Sequence, residues 1–270
     1  MRFTAPFLPS MAELLDLEPL DRDLYRGVNE VPENDRPTLF GGQVAAQALK
    51  AAGLTVPEDR FPHSMHGYFL RPGRRERPVL FEVERDRDGR SFSARRVSAR
   101  QDGAVIFDLT ASFHVNERGG EYALPLRDDV AGPESCAKEP FSHNFPRADA
   151  RVVPPTTADE EGRQLSSTLW LRIREPLGAD RLTHTCALAY LSDIGTGFLS
   201  LEVPGLPKGG PSLDHAVWFR APIRADEWVL LHMWPLMAGG GRGLYGGSMH
   251  QHDGTLGVMI SQEALLRPPT

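Results

Sequence analysis

The chain has 270 residues, a length that allows one large domain or two, and its 36 acidic against 30 basic residues give a formal charge of −6. An acidic balance gives no overall electrostatic case for binding nucleic acid. The only two cysteines, Cys136 and Cys186, stand in no metal-ligand spacing, which argues against a disulfide scaffold and favours a reduced, cytoplasmic environment.

Three further absences point the same way. No apolar run approaches the roughly 20 residues of a membrane-spanning helix. Prolines and a glutamate interrupt the N-terminal stretch where a signal peptide needs a continuous apolar segment, and the C-terminus is not a peroxisomal tripeptide. We therefore expect a soluble cytoplasmic protein without a membrane span.

The first elements in chain order are a short helix or edge over residues 11–17 and a strand over residues 23–28. After a polar loop, Gly41 and Gly42 lead into QVAAQALKAAG, a run of helix formers and small residues that ends at Gly53. The run carries no charge before Lys50. A helix that is apolar around nearly its whole circumference is predicted to be buried.

Four β-like segments follow between Pro62 and Val115 and predict an antiparallel meander. Their residues alternate between apolar and polar with a period of two, as in strands whose two faces differ. Asp88-Gly89 and Asp102-Gly103 stand where the chain must reverse, and Asp-Gly pairs suit tight hairpins. The first half thus reads as strand, central helix and four strands.

Residues 116–166 are rich in proline and charge and show no sustained period, so we interpret them as a long linker. The alternative is an insertion that lies across the surface of one domain. A structureless loop of this length inside one compact domain would be unusual, which favours a domain boundary here.

The order of elements then repeats: a strand over 167–175, a helix over 181–192, a strand over 213–221 and three more β-like segments. Gly103 and Gly254 close equivalent Asp-Gly turns, 151 residues apart (254 minus 103). The repeat indicates a duplicated domain. We predict an α+β double hot-dog, in which each of two repeats wraps an antiparallel sheet around a central helix. The expected units are 1–115, 116–166 (linker) and 167–270. Another α+β sandwich or two unrelated domains are the alternatives.

Several blocks resemble the signature sequences of the acyl-CoA thioesterase II family. They are FGGQ at 40–43, HGYFLRPG at 66–73, DGRSFSARRV at 88–97, TASF at 110–113, AYLSD at 189–193, DH at 214–215, WF at 218–219 and QE at 262–263. The resemblance covers both halves apart from the linker. It implies a thioester hydrolase that needs no cofactor and no metal, takes acyl-CoA as substrate, and assembles as a homo-oligomer, a dimer or tetramer.

The resemblance also implies the catalytic group: Asp193, Ser212 and Gln262, acting together on a water molecule. The chemistry is consistent, since a CoA thiolate is a good leaving group and the reaction needs a held water and a carboxylate to accept its proton. Backbone N–H groups at an exposed helix N-terminus would suit the oxyanion. Each residue also has an ordinary explanation: a helix-end aspartate, a strand-start serine and an amide on the wet face of a sheet.

Aligning the two halves pairs Ala111 with Gln262 and Pro62 with Ser212, so the first half lacks both polar groups. We therefore predict one active site per chain, with the first half as scaffold and as one wall of the acyl channel.

Other features carry less weight. His63 and His66 fall on opposite faces of a strand, and His250 and His252 are expected to be solvated. The glycine-rich run at 239–243 lacks a phosphate-binding motif and suits a bulged hairpin. The arginines between 90 and 100 divide between two strand faces, one solvated and one able to reach CoA phosphates; they are Arg90, Arg95, Arg96 and Arg100.

These observations lead to the hypothesis of a thioesterase that hydrolyses fatty acyl-CoA to the free fatty acid and CoA. A hot-dog enoyl-CoA hydratase is one rival, and the chain carries no Gly-Asp-x-Asn-Pro-x-His block of that kind. The second rival is a protein that binds acyl-CoA without turnover.

Overall fold

A computed structural model describes residues 8–30, 38–123, 125, 126, 130–139, 145–154 and 166–267. Residues 1–7 and 268–270, on which the expectations about a signal peptide and a targeting tripeptide partly depend, lie outside these ranges, as does much of the segment predicted as a linker.

The first half is built around one long helix. Its elements are α1 (Met11–Leu15), β1 (Glu18–Asp21), β2 (Leu24–Gly27), α2 (Gly41–Gly53), β3 (Arg60–Phe69), β4 (Val79–Asp88), β5 (Phe92–Gln101) and β6 (Ala104–Val115). Nearly every residue of α2 is buried, as its composition predicts. The two buried amides of this helix, Gln43 and Gln47, bind the backbone carbonyl of Val28. These bonds tie α2 to the chain that follows β2.

The second half repeats this plan. Its elements are β8 (Ala148–Val152), β9 (Ser167–Ile173), α3 (Arg181–Ser192), β10 (Asp214–Phe219), β11 (Val229–Gly239), β12 (Arg242–Gln251) and β13 (Leu256–Leu265). Before them come a 3₁₀ turn (Pro133–Ser135) and the two-residue β7 (Ala137–Lys138). Helix α3 begins at the N-cap Asp180, whose carboxylate accepts the N–H groups of Leu182 and Thr183.

The thirteen strands of the described ranges form one antiparallel sheet in the order β1-β2-β4-β5-β6-β3-β10-β13-β12-β11-β9-β8-β7. The halves join where β3 pairs with β10, and α2 packs against α3 within the same hydrophobic core. Each half wraps its part of the sheet around one helix, which is the predicted double hot-dog.

The strand order reads the same outward from the β3–β10 junction, with β6, β5, β4, β2 and β1 on one side and β13, β12, β11, β9 and β8 on the other. The registers match as well, since Pro62 pairs with Phe113 and Ser212 bridges Ala264, 151 residues beyond Phe113 (264 minus 113). Gly103 and Gly254 both have positive φ in equivalent turns. The duplication read from the sequence is therefore present in the backbone.

Two expectations need correction. The four segments from 62 to 115 are not one meander, because β4, β5 and β6 pair in sequence while β3 lies beyond β6 and pairs with it and with β10. The segment interpreted as a linker contains β7 and β8, and β8 pairs with β9 as the counterpart of β1. The structural repeat of the second half thus begins at Ala148. The domain limits themselves remain a prediction.

Candidate active site

Asp193 lies at the end of α3, where its residue forms the helix C-cap. Strand β13 and the segment just before β10 carry the other two predicted side chains to it. Gln262 in β13 is 1% exposed, and its Nε2 donates to Asp193 Oδ1 at 2.9 Å and to Ser212 Oγ at 2.5 Å. The Ser212 hydroxyl lies 3.4 Å from the same carboxylate oxygen. The structure therefore brings together all three residues that the sequence singled out.

Ser212 is held in place by backbone pairing just before β10. Its residue bridges Ala264, and Leu265 N–H donates to Pro211 O at 2.8 Å. A Cβ at Gly210 would lie 1.8 Å from Leu265 O, so only glycine lets this segment run so close to β13. The glycine-rich stretch before Ser212 thus has a structural reason at this position.

The first half also contributes to the site, through the first turn of α2. The first turn of α2 meets Asp193: the Gly42 N–H faces the carboxyl and lowers its pKa, and a Cβ at Gly41 would lie 2.7 Å from Asp193 Oδ2. Phe40, the N-cap of α2, offers no side-chain cap. A carboxylate from the other half therefore takes the place that a capping side chain would fill. The sequence showed the Gly41-Gly42 pair but gave it no part in the site.

Burial dominates the electrostatics of Asp193. It raises the pKa of this carboxyl above the ordinary aspartate value, while His215, Gln262, the Gly42 N–H and Ser212 each pull the pKa partly back. The result is a carboxylate that is a stronger proton acceptor than an exposed one and is held by directional donors. Both properties suit a general base.

Two cavities flank the three residues. One, of about 450 Å³, is lined mainly by apolar groups of the first half, among them Val44, Phe69, Ile106 and Phe107. We call it the apolar cavity. The other, of about 360 Å³, includes Glu30, Gln43 and Glu139, and we call it the polar cavity. Asp193, Ser212 and Gly41 line both. The site thus sits where an apolar and a more polar compartment meet.

The equivalent positions in the first half carry no polar side chain. The C-cap residues of α2 and α3 are Leu54 and Asp193, and the register of the two halves sets Pro62 against Ser212 and Ala111 against Gln262. Two of these pairings were predicted from sequence. The equivalent helix ends add the third pairing, Leu54 with Asp193, which the sequence alignment did not propose.

Three arginines of the run between 90 and 100 form ion pairs within the protein: Arg95, Arg96 and Arg100. Arg95 is fully buried and donates to Thr55, to Asp88 and to the carbonyls of Arg87 and Ala94, so it is not available to a CoA phosphate. Arg96, on the opposite face, pairs with Glu84. The predicted division of these arginines between two strand faces is confirmed, and the face that carries Arg95 does not reach a phosphate.

The histidines differ from expectation at one position. His250 is 5% exposed, although it was expected to be solvated, because its strand β12 lies between β11 and β13 with nearly every side chain buried. Within the described ranges, no three His, Cys, Asp or Glu side chains are grouped so as to hold a metal ion. Nor does any helix of those ranges have the length and apolar character to cross a membrane.

Comparison with known proteins gives concordant results. The family model for the acyl-CoA thioesterase N-terminal domain matches residues 32–114, and that for the C-terminal domain matches residues 107–266. Acyl-coenzyme A thioesterase 8 of Mus musculus is 38% identical over 95% of this chain and 88% of its own length. Acyl-CoA thioesterase 2 of Haemophilus influenzae is 34% identical over 96% of this chain and 98% of its own length. Among solved structures, acyl-CoA thioesterase II TesB2 of Mycobacterium marinum shares 39% identity at a TM-score of 0.83, over 97% of this chain and 99% of that one.

Proposed function

Because this chain belongs to the acyl-CoA thioesterase II family and is a thioester hydrolase, we propose that Asp193, Ser212 and Gln262 bind and deprotonate the attacking water. The observation that carries this proposal is the convergence of the three side chains. They come from the end of α3, the segment just before β10 and strand β13, and their polar atoms lie within 3.4 Å of a partner in the group.

In this mechanism Asp193 accepts a proton from the water molecule while the water oxygen attacks the carbonyl carbon of the thioester. The tetrahedral intermediate then collapses, the carbon–sulfur bond breaks, and CoA leaves as its thiolate, which needs no strong general acid. Ser212 and Gln262 hold the water through hydroxyl and amide. The products are a carboxylic acid and CoA.

The first turn of α2 suits the developing oxyanion. Its N–H groups lack partners within the helix, they carry the positive end of the helix dipole, and they lie beside Asp193. Donors fixed in advance stabilise a tetrahedral oxyanion without reorganisation. We assign this role to the backbone of Gly41 and its neighbours.

For the substrate we infer a fatty acyl chain in the apolar cavity, where it contacts aliphatic and aromatic side chains from the first half. The polar cavity then suits the amide-containing arm of CoA. The first half would thus form one wall of the acyl channel while the second half supplies the reacting side chains.

The test is thiol release from short, medium and long acyl-CoAs by the wild type and by Asp193→Asn. We expect turnover to fall ~10²-fold or more, as for loss of a general base. Asp253→Asn, an exposed aspartate in the turn after β12, is the matched control and should keep wild-type turnover. Undiminished thiol release by Asp193→Asn would refute the proposed base.

Location and assembly follow the same premise. Cys136 and Cys186 are both buried and unpaired, which supports a reduced, cytoplasmic environment. Hydrolysis of fatty acyl-CoA would give the protein a part in fatty-acid metabolism. We infer a homodimer or homotetramer, with the outer face of β3, where Tyr68 is exposed, as a candidate interface. Light scattering should give two or four times the 29.9 kDa of one chain, and the mass of a single chain would contradict this.

A further inference from the structure

A second layer of side chains stands behind Gln262. Strands β10 and β13 are antiparallel, and Ala216 pairs with Ser261. The next residue on each strand sets His215 opposite Gln262. Both side chains are on the buried face of the sheet. His215 is 0% exposed. Its Nε2 lies 2.8 Å from the hydroxyl of Ser192, the residue that precedes Asp193.

Two buried atoms here have no hydrogen-bond partner among the residues that the structure describes: Nδ1 of His215 and Oε1 of Gln262. They belong to the two side chains that face each other across β10 and β13. A buried polar atom left without a partner is costly, because it has lost its hydrogen bonds to water. A single bond between them would satisfy both.

A hydrogen bond between His215 Nδ1 and Gln262 Oε1 requires the tautomer of the neutral ring that carries its proton on Nδ1. Burial lowers the pKa of the ring, so at neutral pH it is neutral and carries one N–H. The Ser192 hydroxyl has one proton and two acceptors within reach, Ala189 O at 2.9 Å and His215 Nε2 at 2.8 Å. Donation to Nε2 leaves the ring proton on Nδ1, where Gln262 Oε1 can accept it.

We propose that His215 and Ser192 are positioning residues that fix the orientation of the Gln262 amide through an Nδ1–H to Oε1 hydrogen bond. An amide can present either its oxygen or its NH₂ to a neighbour, and only the NH₂ group can donate to the Asp193 carboxylate. With Oε1 bound to His215, Nε2 must face Asp193 and Ser212. The bonds then close a ring from Asp193 through Gln262, His215 and Ser192 back to Asp193 along the helix.

The first half supports this assignment by contrast. In the first half, Met65 pairs with Ala111. Met65 is the counterpart of His215, and Ala111 is the counterpart of Gln262. Where the amide is absent, the histidine is absent too. A purely structural histidine would have no reason to follow the amide.

The kinetic test is a double-mutant cycle, and it rests on the proposed catalytic role of Gln262. We expect His215→Met, which copies the first half, to lower kcat about tenfold or more with little change in KM, because a misplaced group costs up to about 10²-fold. Ser192→Ala should act in the same direction and is the milder variant if His215→Met folds poorly. In the Gln262→Ala background, His215→Met should cost nothing further.

The matched control is His184→Met. His184 is also a buried histidine, but it lies in α3, at the end of the helix far from Asp193. Its ring binds Gly178 O and the Ala225 N–H. The substitution should lower stability without coupling to Gln262. Losses of kcat for His215→Met that are equal with and without Gln262 would overturn the positioning role. Wild-type turnover by Gln262→Ala would instead refute the proposed function of the amide.

A second measurement does not depend on catalysis. ¹⁵N NMR of the wild-type imidazoles, with the His215 signals assigned by their loss in His215→Met, distinguishes a protonated from an unprotonated ring nitrogen. The proton is expected on Nδ1, and in Ser192→Ala it should redistribute toward Nε2. A proton found on Nε2 in the wild type would overturn the inference.

Discussion

Asp193 combines burial with several donors, and the balance between them sets its working pH. The carboxyl must be ionised to accept a proton from water, so kcat/KM should fall as the pH falls through its pKa. Because burial raises that pKa, the fall should begin at a higher pH than for an ordinary aspartate. A carboxylate with a raised pKa is also a better proton acceptor.

The fall of kcat/KM at low pH, its acid limb, depends on the hydrogen bond that Asp193 accepts from Gln262. The hydrogen bond from Gln262 lowers the pKa of Asp193, so Gln262→Ala should move the acid limb of kcat/KM to higher pH, besides lowering its plateau. The pH profile of thiol release measures both effects. Asp253→Asn should reproduce the wild-type profile, and a shift of the Gln262→Ala limb to lower pH would contradict the electrostatics described.

Arg95 shows how a charge can serve stability alone. Its guanidinium is buried against the C-terminal end of α2, where it donates to the hydroxyl and carbonyl of Thr55, and it pairs with Asp88 at 2.7 Å. A cation at a helix C-terminus is favoured by the dipole. Every bond is lost together if the side chain is truncated.

We therefore predict that Arg95→Met lowers the free energy of unfolding by about 3 kcal/mol, as for breaking a buried, hydrogen-bonded charge. Arg96→Met is the matched control from the same strand, since the Arg96 side chain is 45% exposed and its ion pairs should contribute about 1 kcal/mol or less. Urea denaturation of both variants measures the difference. Equal losses would contradict this reading of Arg95.

At this scale the sequence predicted the identities of the three site residues only through the family resemblance. Each taken alone has an ordinary explanation, because Asp193 meets Gln262 across 69 residues of chain and Ser212 meets Gln262 across 50. No local pattern encodes such contacts. His215 was visible in the sequence only as a neighbour of Asp214, and its position behind the amide needed the sheet register.

Among the elements, α2 is the one whose placement decides the chemistry. Its first turn is free of side-chain caps and touches a carboxylate from the other half, and this approach requires a residue without a Cβ at position 41. The helix thus contributes backbone groups to a site that has its side chains elsewhere.

Gly41→Ala should therefore lower turnover by about 10²-fold, because the new Cβ must displace the Asp193 carboxylate or the helix end from productive geometry. The control is Gly53→Ala at the other end of α2, where the Cβ meets only the flexible side chain of Leu182. It should change the melting temperature more than the turnover. Wild-type turnover by Gly41→Ala would show that the close approach is not needed.

The elements predicted best from sequence are the long ones. Both central helices and the strands β4–β6 and β10–β13 have a sustained period or helix-forming composition that local physics can read. The short strands β1, β7 and β8 have two to five residues, too few to show a period. The position of β3 was misread because its neighbour β10 lies far along the chain, and only tertiary pairing reveals it.

The whole molecule has near two-fold symmetry in its backbone and none in its chemistry. The halves share strand order, register and turn geometry, yet Leu54, Pro62 and Ala111 stand where the second half has Asp193, Ser212 and Gln262. Apolar groups at these positions can neither hold nor deprotonate a water molecule.

We predict one active site per chain. Calorimetric titration with a non-hydrolysable acyl-CoA analogue should give a stoichiometry of one ligand per chain, and Asp193→Asn should lower hydrolysis ~10²-fold or more without changing that number. Thiol release by Gln262→Ala is a second check, because any active site in the first half would keep its activity in this variant. Two equivalents bound, or substantial hydrolysis left in both variants, would contradict the prediction.

The contact between the Asp193 carboxylate and the first turn of α2 has an evolutionary consequence. In a dimer of two identical hot-dog chains, every substitution appears twice, so a change that spoils one site spoils both. Once the two copies are joined in one chain, each can mutate alone. The first copy can then do without an aspartate, a serine and a glutamine while keeping the helix end that the second copy needs, and selection can act on it as a specialised half of a single enzyme.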